Sequence, residues 1–181
     1  MGDERKTNQP AGVTIRPVRQ QDAGFLYALY CSTRAEEIAG WGLAPPQEEM
    51  FLKLQFQGQQ RHFEVQSPNV DYKVIEHDDR AIGQLVVIRT DREIRLADIS
   101  LLPEHRATGL GTALIEGLFD EARESHRPVT LHVEKHNRAA RLYERLGFKT
   151  IADTGFHYQM EWRPDGERTE TPAPDSEDLT D

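Results

Sequence analysis

The chain has 181 residues, 37% of them hydrophobic and 29% charged, with a formal net charge of -9. That mix belongs to a globular α/β-sized domain and excludes a fibrous, collagen-like or disulfide-dense class. No apolar run reaches the roughly 18 residues of a membrane span, and no dense basic stripe offers to neutralise phosphates, so neither a membrane nor nucleic acid is expected as partner.

The charge is unevenly placed. From Pro164 onward, "PDGERTETPAPDSEDLTD" holds seven acidic residues against one Arg, so this tail carries -6 of the -9. It is acidic, rich in Pro and nearly free of large apolar residues, which predicts a disordered tail over 164–181. A disordered arm is expected over 1–12 and one folded domain over 13–163. "MGDERKTNQP" lacks the apolar core of a secretory signal, and Lys6 stands where a myristoylation signal needs Ser or Thr. The lone Cys31 has no disulfide partner in the chain. Cytoplasmic residence is the expectation.

Taken in chain order, "VTIRPV" alternates as a strand, and "DAGFLYALYCSTRAEEIA" places Phe25, Leu26, Leu29 and Tyr30 at helical spacing behind Asp22 as cap. "GWGLAPP" ends that helix. A second helix is expected over Gln47 to Gln60, with Met50 and Leu54 on its apolar side. "DYKVIEH", "AIGQLVVIRT" and "REIRLADISLL" form an antiparallel meander joined by polar turns. A helix to about Ser125 follows, then the strand "PVTLHVE", the helix "NRAARLYERLGF", and a hairpin of "KTIADT" and "FHYQMEW" around Gly155. The order β-α-α-β-β-β-α-β-α-β-β predicts a mixed sheet with helices on its faces.

The junction "PEHRATGLGTALIEGLFDEA" carries the chemistry. A helix opened by glycines points its first amides outward without intrahelical partners, at the positive end of its dipole. Gly109 and Gly111 let a phosphate approach the backbone, and Arg106 adds a guanidinium nearby. Position 114 is Leu, so the third glycine of a dinucleotide fingerprint is missing, and no Gly-Lys-Ser/Thr follows to make a P-loop. The glycines otherwise serve only to shape a tight loop.

Arg106-x-x-Gly109-x-Gly111, after a strand and before a helix, resembles the acyl-CoA signature of the GNAT acetyltransferase superfamily. "VEKHNRAARLYERLGF" resembles its second signature, and the two stand in the expected order. The resemblance spans roughly residues 13 to 162 and implies the GNAT fold, acetyl-CoA as co-substrate without a metal, and direct acyl transfer to an amine. It implies that Arg106, Ala107, Thr108, Gly109, Leu110, Gly111 and Thr112 hold the pyrophosphate through backbone amides. Main chain within "ADISLL", where Ile99 and Leu101 lie, would polarise the thioester carbonyl and meet the donor. Asn137 would bind the pantetheine chain, or else serve as an ordinary N-cap. Arg138 and Arg141 would meet the 3′-phosphate of CoA, or else form surface ion pairs.

An amine of pKa about 10 must lose a proton before it attacks, so a general base or a water path to one is needed. Glu93, thirteen residues before Arg106, resembles the catalytic glutamate of histone-type members; it is otherwise an exposed strand-end charge. Asp98, among small apolar residues, is the alternative base. Tyr143 of "LYE" is the implied acid for the leaving thiolate, or else a core aromatic on the stripe Ala139, Leu142, Tyr143, Leu146.

The acceptor is expected between the two-helix insertion and the last hairpin. Trp41, Phe56 and Tyr158 offer walls, and Glu36, Glu37, Glu48 and Glu49 either attract a cationic amine or form a solvated helix face. A metabolite, a peptide N-terminus and a lysine side chain all remain open as acceptors, and a homodimer is compatible with the family. His105, His126, His132 and His136 show no metal-ligand spacing. Cys31 is expected as a small buried residue rather than an acyl carrier. A catalytically idle acyl-CoA-binding module of the same fold is the alternative function.

Overall fold

The computed structural model describes residues 11–65 and 69–164. Residues 1–10 of the arm expected over 1–12, and residues 165–181 of the tail expected over 164–181, lie outside the described residues. Among the described residues no helix is long and apolar enough to cross a membrane.

The seven strands are β1 (Val13–Pro17), β2 (Val70–His77), β3 (Arg80–Arg89), β4 (Ile94–Leu101), β5 (Val129–Glu134), β6 (Lys149–Asp153) and β7 (His157–Trp162). They form one sheet in the order β1-β2-β3-β4-β5-β7-β6. Every neighbouring pair is antiparallel except β4 with β5. The helices are α1 (Ala23–Ala39), α2 (Pro45–Val65), α3 (Leu110–Ser125) and α4 (Ala139–Arg145). The observed order matches the one expected, with a mixed sheet and helices on both faces.

Strand alternation assigns those faces. Ile75, Leu85, Val87, Ile94 and Leu96 join Leu110, Leu114, Ile115, Leu118 and Phe119 of α3 in the main core. That stripe on α3 is the apolar face of an amphipathic helix. The alternate residues of β2 and β3 face α1 and α2: Tyr72 meets the Phe63 ring edge-on at 5.6 Å.

Four local differences from the sequence reading have clear causes. Asp22 closes a short 3-10 turn, Gln20–Asp22, instead of capping α1. Its carboxylate accepts from the Arg19 amide and from both terminal nitrogens of Arg16, so an ion pair outcompetes the cap. α2 starts earlier, at Pro45, because proline suits the first turn and Gln47 Oε1 accepts the Ala44 amide in half of a capping box. Met50 and Leu54 are 65% and 62% exposed, whereas Leu52, Phe56 and Phe63 turn inward. The residues that α1 offers, Tyr27 and Tyr30, both meet Phe56 at 5.5 Å, and this decides which face of α2 is buried. α4 is shorter than expected; Asn137 Oδ1 accepts the Ala139 amide at 2.9 Å and caps it, and Gly147 at φ +92° ends it.

Candidate active site

The parallel pairing of β4 with β5 is short. It runs only from Ile94–Val129 to Leu96–Leu131, although β4 continues to Leu101 and β5 to Glu134. Beyond Leu96 the two strands stay with other partners, β4 with β3 and β5 with β7. The divergence begins at a bulge: Leu96 faces Val87 and Asp98 faces Val86, so Ala97 is the extra residue. A bulge bends and twists its strand, and here it turns β4 away from β5. The resulting cleft has two unpaired strand edges as walls, with Ile99 and Leu101 on one of them.

The glycine junction lies at the open end. A 3-10 turn, Pro103–His105, leads from β4 into the loop 106–109 and then α3. Ala107 at φ +58° and Gly109 at φ +86° are both left-handed, an alternation that turns successive amides toward one side. Among the described residues no backbone carbonyl accepts from the amides of Ala107 to Thr112; the first α3 bond is Ala113 to the Gly109 carbonyl. A Cβ on Gly109 would meet nothing within 4 Å, and one on Gly111 only Ile99 Cδ1 at 4.0 Å. Six unpartnered amides around open space at a helix start form a fitting cradle for a pyrophosphate.

Arg106 plays a different part from a charged fork in that cradle. Its Nε donates to the Leu101 carbonyl at 2.8 Å, and its Nη2 to Ser32 Oγ at 3.2 Å. The side chain thus clamps the loop to the end of β4 and to α1. Thr108 Oγ1 donates to the His105 carbonyl at 2.9 Å, which also tightens the loop.

The three expected proton-handling groups differ in their surroundings. Asp98 lies just past the bulge on the α1/α2 side. Gln84 Nε2 donates to its Oδ2, and Ser100 Oγ to Oδ2 at 3.0 Å and Oδ1 at 3.2 Å. Burial pushes the Asp98 carboxyl above the usual carboxylate range, against the opposing pull of those two bonds and of Arg34 on α1. Tyr143, 8% exposed on α4, meets Phe148 edge-on at 5.7 Å. Burial first, and then the charge of Asp98, raises its phenol to about 12. The second contribution shows that the two groups lie within each other's electrostatic range.

Glu93 sits before the paired segment, at the closed end of the cleft. Thr130 Oγ1 donates to its Oε2 at 2.8 Å, and the Arg95 guanidinium donates to its Oε1. Among the described residues no hydrogen bond or ion pair links it to Asp98 or Tyr143.

The remaining expected residues are dispersed. Asn137 uses its Oδ1 as the α4 cap, and Arg138 and Arg141 are exposed on that helix. On the acceptor side, Trp41 is 46% exposed and stands edge-on to Phe51 at 5.1 Å. Phe56 is packed between α1 and α2, and Tyr158 lies under Lys135 Nζ at 5.2 Å. Glu49 pairs with Lys53 at 2.6 Å, which lowers its carboxyl, so it belongs to a solvated helix face; Glu48 is half-buried. The side chains of Glu36 and Glu37 lie outside the described ones. Cys31 is half-buried, not fully buried as expected. His132 follows the last β4–β5 pair; partial burial and Arg95 lower its imidazole.

Sequence reasoning missed Gln84, Tyr72 and Ser100. A signal existed in "AIGQLVVIRT": one amide in an otherwise apolar strand needs a buried partner.

Known proteins resemble this chain in sequence and in fold. Residues 68–150 match the model of the acetyltransferase (GNAT) domain. The spore coat polysaccharide biosynthesis protein SpsD of Bacillus subtilis is 32% identical over 91 residues, 49% of this chain and 31% of that protein. An uncharacterized N-acetyltransferase of Mycobacterium tuberculosis is 37% identical over 76 residues, 40% of this chain and 49% of that one. The match thus spans half or less of these curated relatives. Among solved structures, the PaiA N-acetyltransferase of Thermoplasma acidophilum, in complex with coenzyme A, superposes with a TM-score of 0.65 at 20% identity. It covers 83% of this chain and 98% of that one. Arabidopsis thaliana Naa50, in complex with the bisubstrate analogue CoA-Ac-MVNAL, gives 0.57 at 15% identity over 84% and 99% of the two chains. At these identities the likeness is one of fold.

Proposed function

We infer that this chain moves an acetyl or small acyl group from acyl-CoA directly to a primary amine, because residues 68–150 match the model of the GNAT acetyltransferase domain and the sheet has the fold of solved acetyltransferases. The observation that carries this reading is the cradle of free amides from Ala107 to Thr112 beside the point where β4 parts from β5.

Acetyl-CoA, when bound, supplies an activated thioester. The amides of 107–112 hold its pyrophosphate, and the unpaired edge of β4 around Ile99 and Leu101 binds and orients the chain that follows. Asp98 accepts a proton from the incoming ammonium. Its raised affinity for protons narrows the gap to the amine, which makes it a stronger base than a solvated aspartate. Tyr143 stays protonated across the working pH range, and its hydroxyl donates to the departing sulfur. Once Asp98 is protonated, the charge that raises the phenol is gone, so proton uptake at one group eases proton release at the other. Glu93, held by Thr130 and Arg95, supports the β4–β5 junction in this scheme.

The acceptor enters from the α1/α2 side, where Asp98 lies. The bisubstrate complex of Naa50 carries a peptide, and PaiA is likewise an N-acetyltransferase, so peptide N-termini and small amines both belong in a screen.

The test is calorimetric titration of CoA and acetyl-CoA into the native protein and a Gly111→Val variant, followed by thiol release with amino acids, polyamines and short peptides. Binding that weakens at least about tenfold in Gly111→Val, with turnover of one amine class, supports the reading. Binding without any turnover favours the idle acyl-CoA-binding module. Absence of binding overturns both.

A further inference from the structure

Asp98 is the last acceptor in a chain of hydrogen bonds that begins on α2. Gln60 Nε2 donates to the Tyr72 hydroxyl at 3.0 Å, Tyr72 donates to Gln84 Oε1 at 3.0 Å, and Gln84 Nε2 donates to Asp98 Oδ2. Each link fixes the next. Tyr72 takes the Gln60 proton on its oxygen, so its own proton is free for Gln84; Gln84 gives its carbonyl to that proton, so its NH2 must face Asp98. Gln84 is 4% exposed, and an unsatisfied amide so deeply buried is costly. No packing need calls for an amide at this point, since its strand neighbours Ile82, Leu85, Val86, Val87 and Ile88 are all buried hydrocarbon. Glutamine's contribution is directional.

We propose that Gln84, oriented by Tyr72 and Gln60, is a positioning residue that binds Asp98 Oδ2 and leaves Oδ1 as the oxygen that receives the amine proton. This rests on the reading of Asp98 as the base. The oxygens differ in the required way: among the described residues Oδ2 accepts from Gln84 and from Ser100 at 3.0 Å, whereas Oδ1 accepts only the longer Ser100 contact at 3.2 Å. Donation to the carboxylate also favours its charged form, so Gln84 partly offsets the burial that raises the affinity of Asp98 for a proton. The other groups facing Asp98 are Arg34 from α1, Tyr143 from α4 and Tyr72 from β2.

The experiment needs no acceptor. The 13Cγ resonances of aspartate-labelled protein are titrated for the native chain, Gln84→Met and Tyr72→Phe, with Asp98 assigned by its loss in Asp98→Asn. Gln84→Met is expected to move the Asp98 midpoint to higher pH, weakening its acidity about tenfold for the loss of one charge-assisted bond. Tyr72→Phe frees the Gln84 amide to turn over and gives a smaller shift in the same direction, which keeps the test open if Gln84→Met does not fold. An Asp98 midpoint unmoved in the folded variants overturns the proposal. If the midpoints move while Asp98→Asn retains full turnover with an amine the native protein acetylates, the positioning holds and the reading of Asp98 as base fails.

Discussion

Tyr143 and Asp98, on a helix and a strand from different parts of the chain, are electrostatically joined: the carboxylate adds to burial in raising the phenol to about 12. A phenol so placed cannot act as a base at neutral pH, which leaves donation as its chemical role. Tyr143→Phe keeps the edge contact with Phe148 and removes only the hydroxyl. It is expected to lower kcat on the order of a hundredfold while leaving CoA affinity unchanged. Steady-state rates beside calorimetry check this; equal kcat in the variant returns Tyr143 to the core.

Asp98→Asn separates stability from activity. The folded-state affinity of Asp98 for its proton is above the unfolded one, so the charged carboxylate is destabilising once pH exceeds both values. The variant is therefore expected to melt at or above the native temperature at pH 7. As pH falls and Asp98 takes up its proton, that penalty fades and the variant's advantage with it. Turnover is lost throughout. Calorimetric scans over a pH series test the sign, and a variant less stable at pH 7 than at pH 4, relative to native, contradicts it.

Much of this was legible in the sequence, for physical reasons that differ by element. Strands such as "AIGQLVVIRT" and the stripe of α3 announce themselves because burial repeats at the period of the structure. The glycine junction is legible because Gly109 needs a left-handed φ and Gly111 open space. Contacts between distant segments were not. Arg106 reaches Ser32, seventy-four positions away, and Arg16 takes Asp22 from the helix it would cap. The inward face of α2 depends on where Tyr27 and Tyr30 arrive, which no local pattern within α2 encodes. Glu93 and Asp98 look alike as strand carboxylates; the bulge at Ala97 and the end of β4–β5 pairing separate their surroundings.

That separation makes a prediction for Glu93. Glutamine at this position still accepts from Thr130 but loses the charge that Arg95 meets. Glu93→Gln is expected to cost about 0.5 kcal/mol of stability and to leave both turnover and its pH profile unchanged. A flattened acid limb in the variant would instead make Glu93 the titrating base and would move the proton path to the closed end of the cleft.

The acid side of the stability curve should be governed elsewhere, by Asp22. Its carboxylate, 6% exposed, is bound by Arg16 at 2.7 and 2.8 Å and by the Arg19 amide, and the Arg16 bond chiefly holds its pKa down at about 2. Arg16 also meets Glu76 on β2 at 2.7 Å, so the cluster ties β1 and the start of α1 to the sheet. A depressed folded-state value contributes stability that is fully present above the unfolded value of 3.8 and is lost as pH falls toward 2. The shift corresponds to about 2 kcal/mol at neutral pH. Asp22→Asn is therefore expected to lower unfolding free energy by about that amount at pH 7, and by progressively less as the native chain is taken below pH 4. Urea titrations of both proteins across that range measure the difference directly; a gap that stays constant with pH would assign the loss to packing rather than to the ion pair.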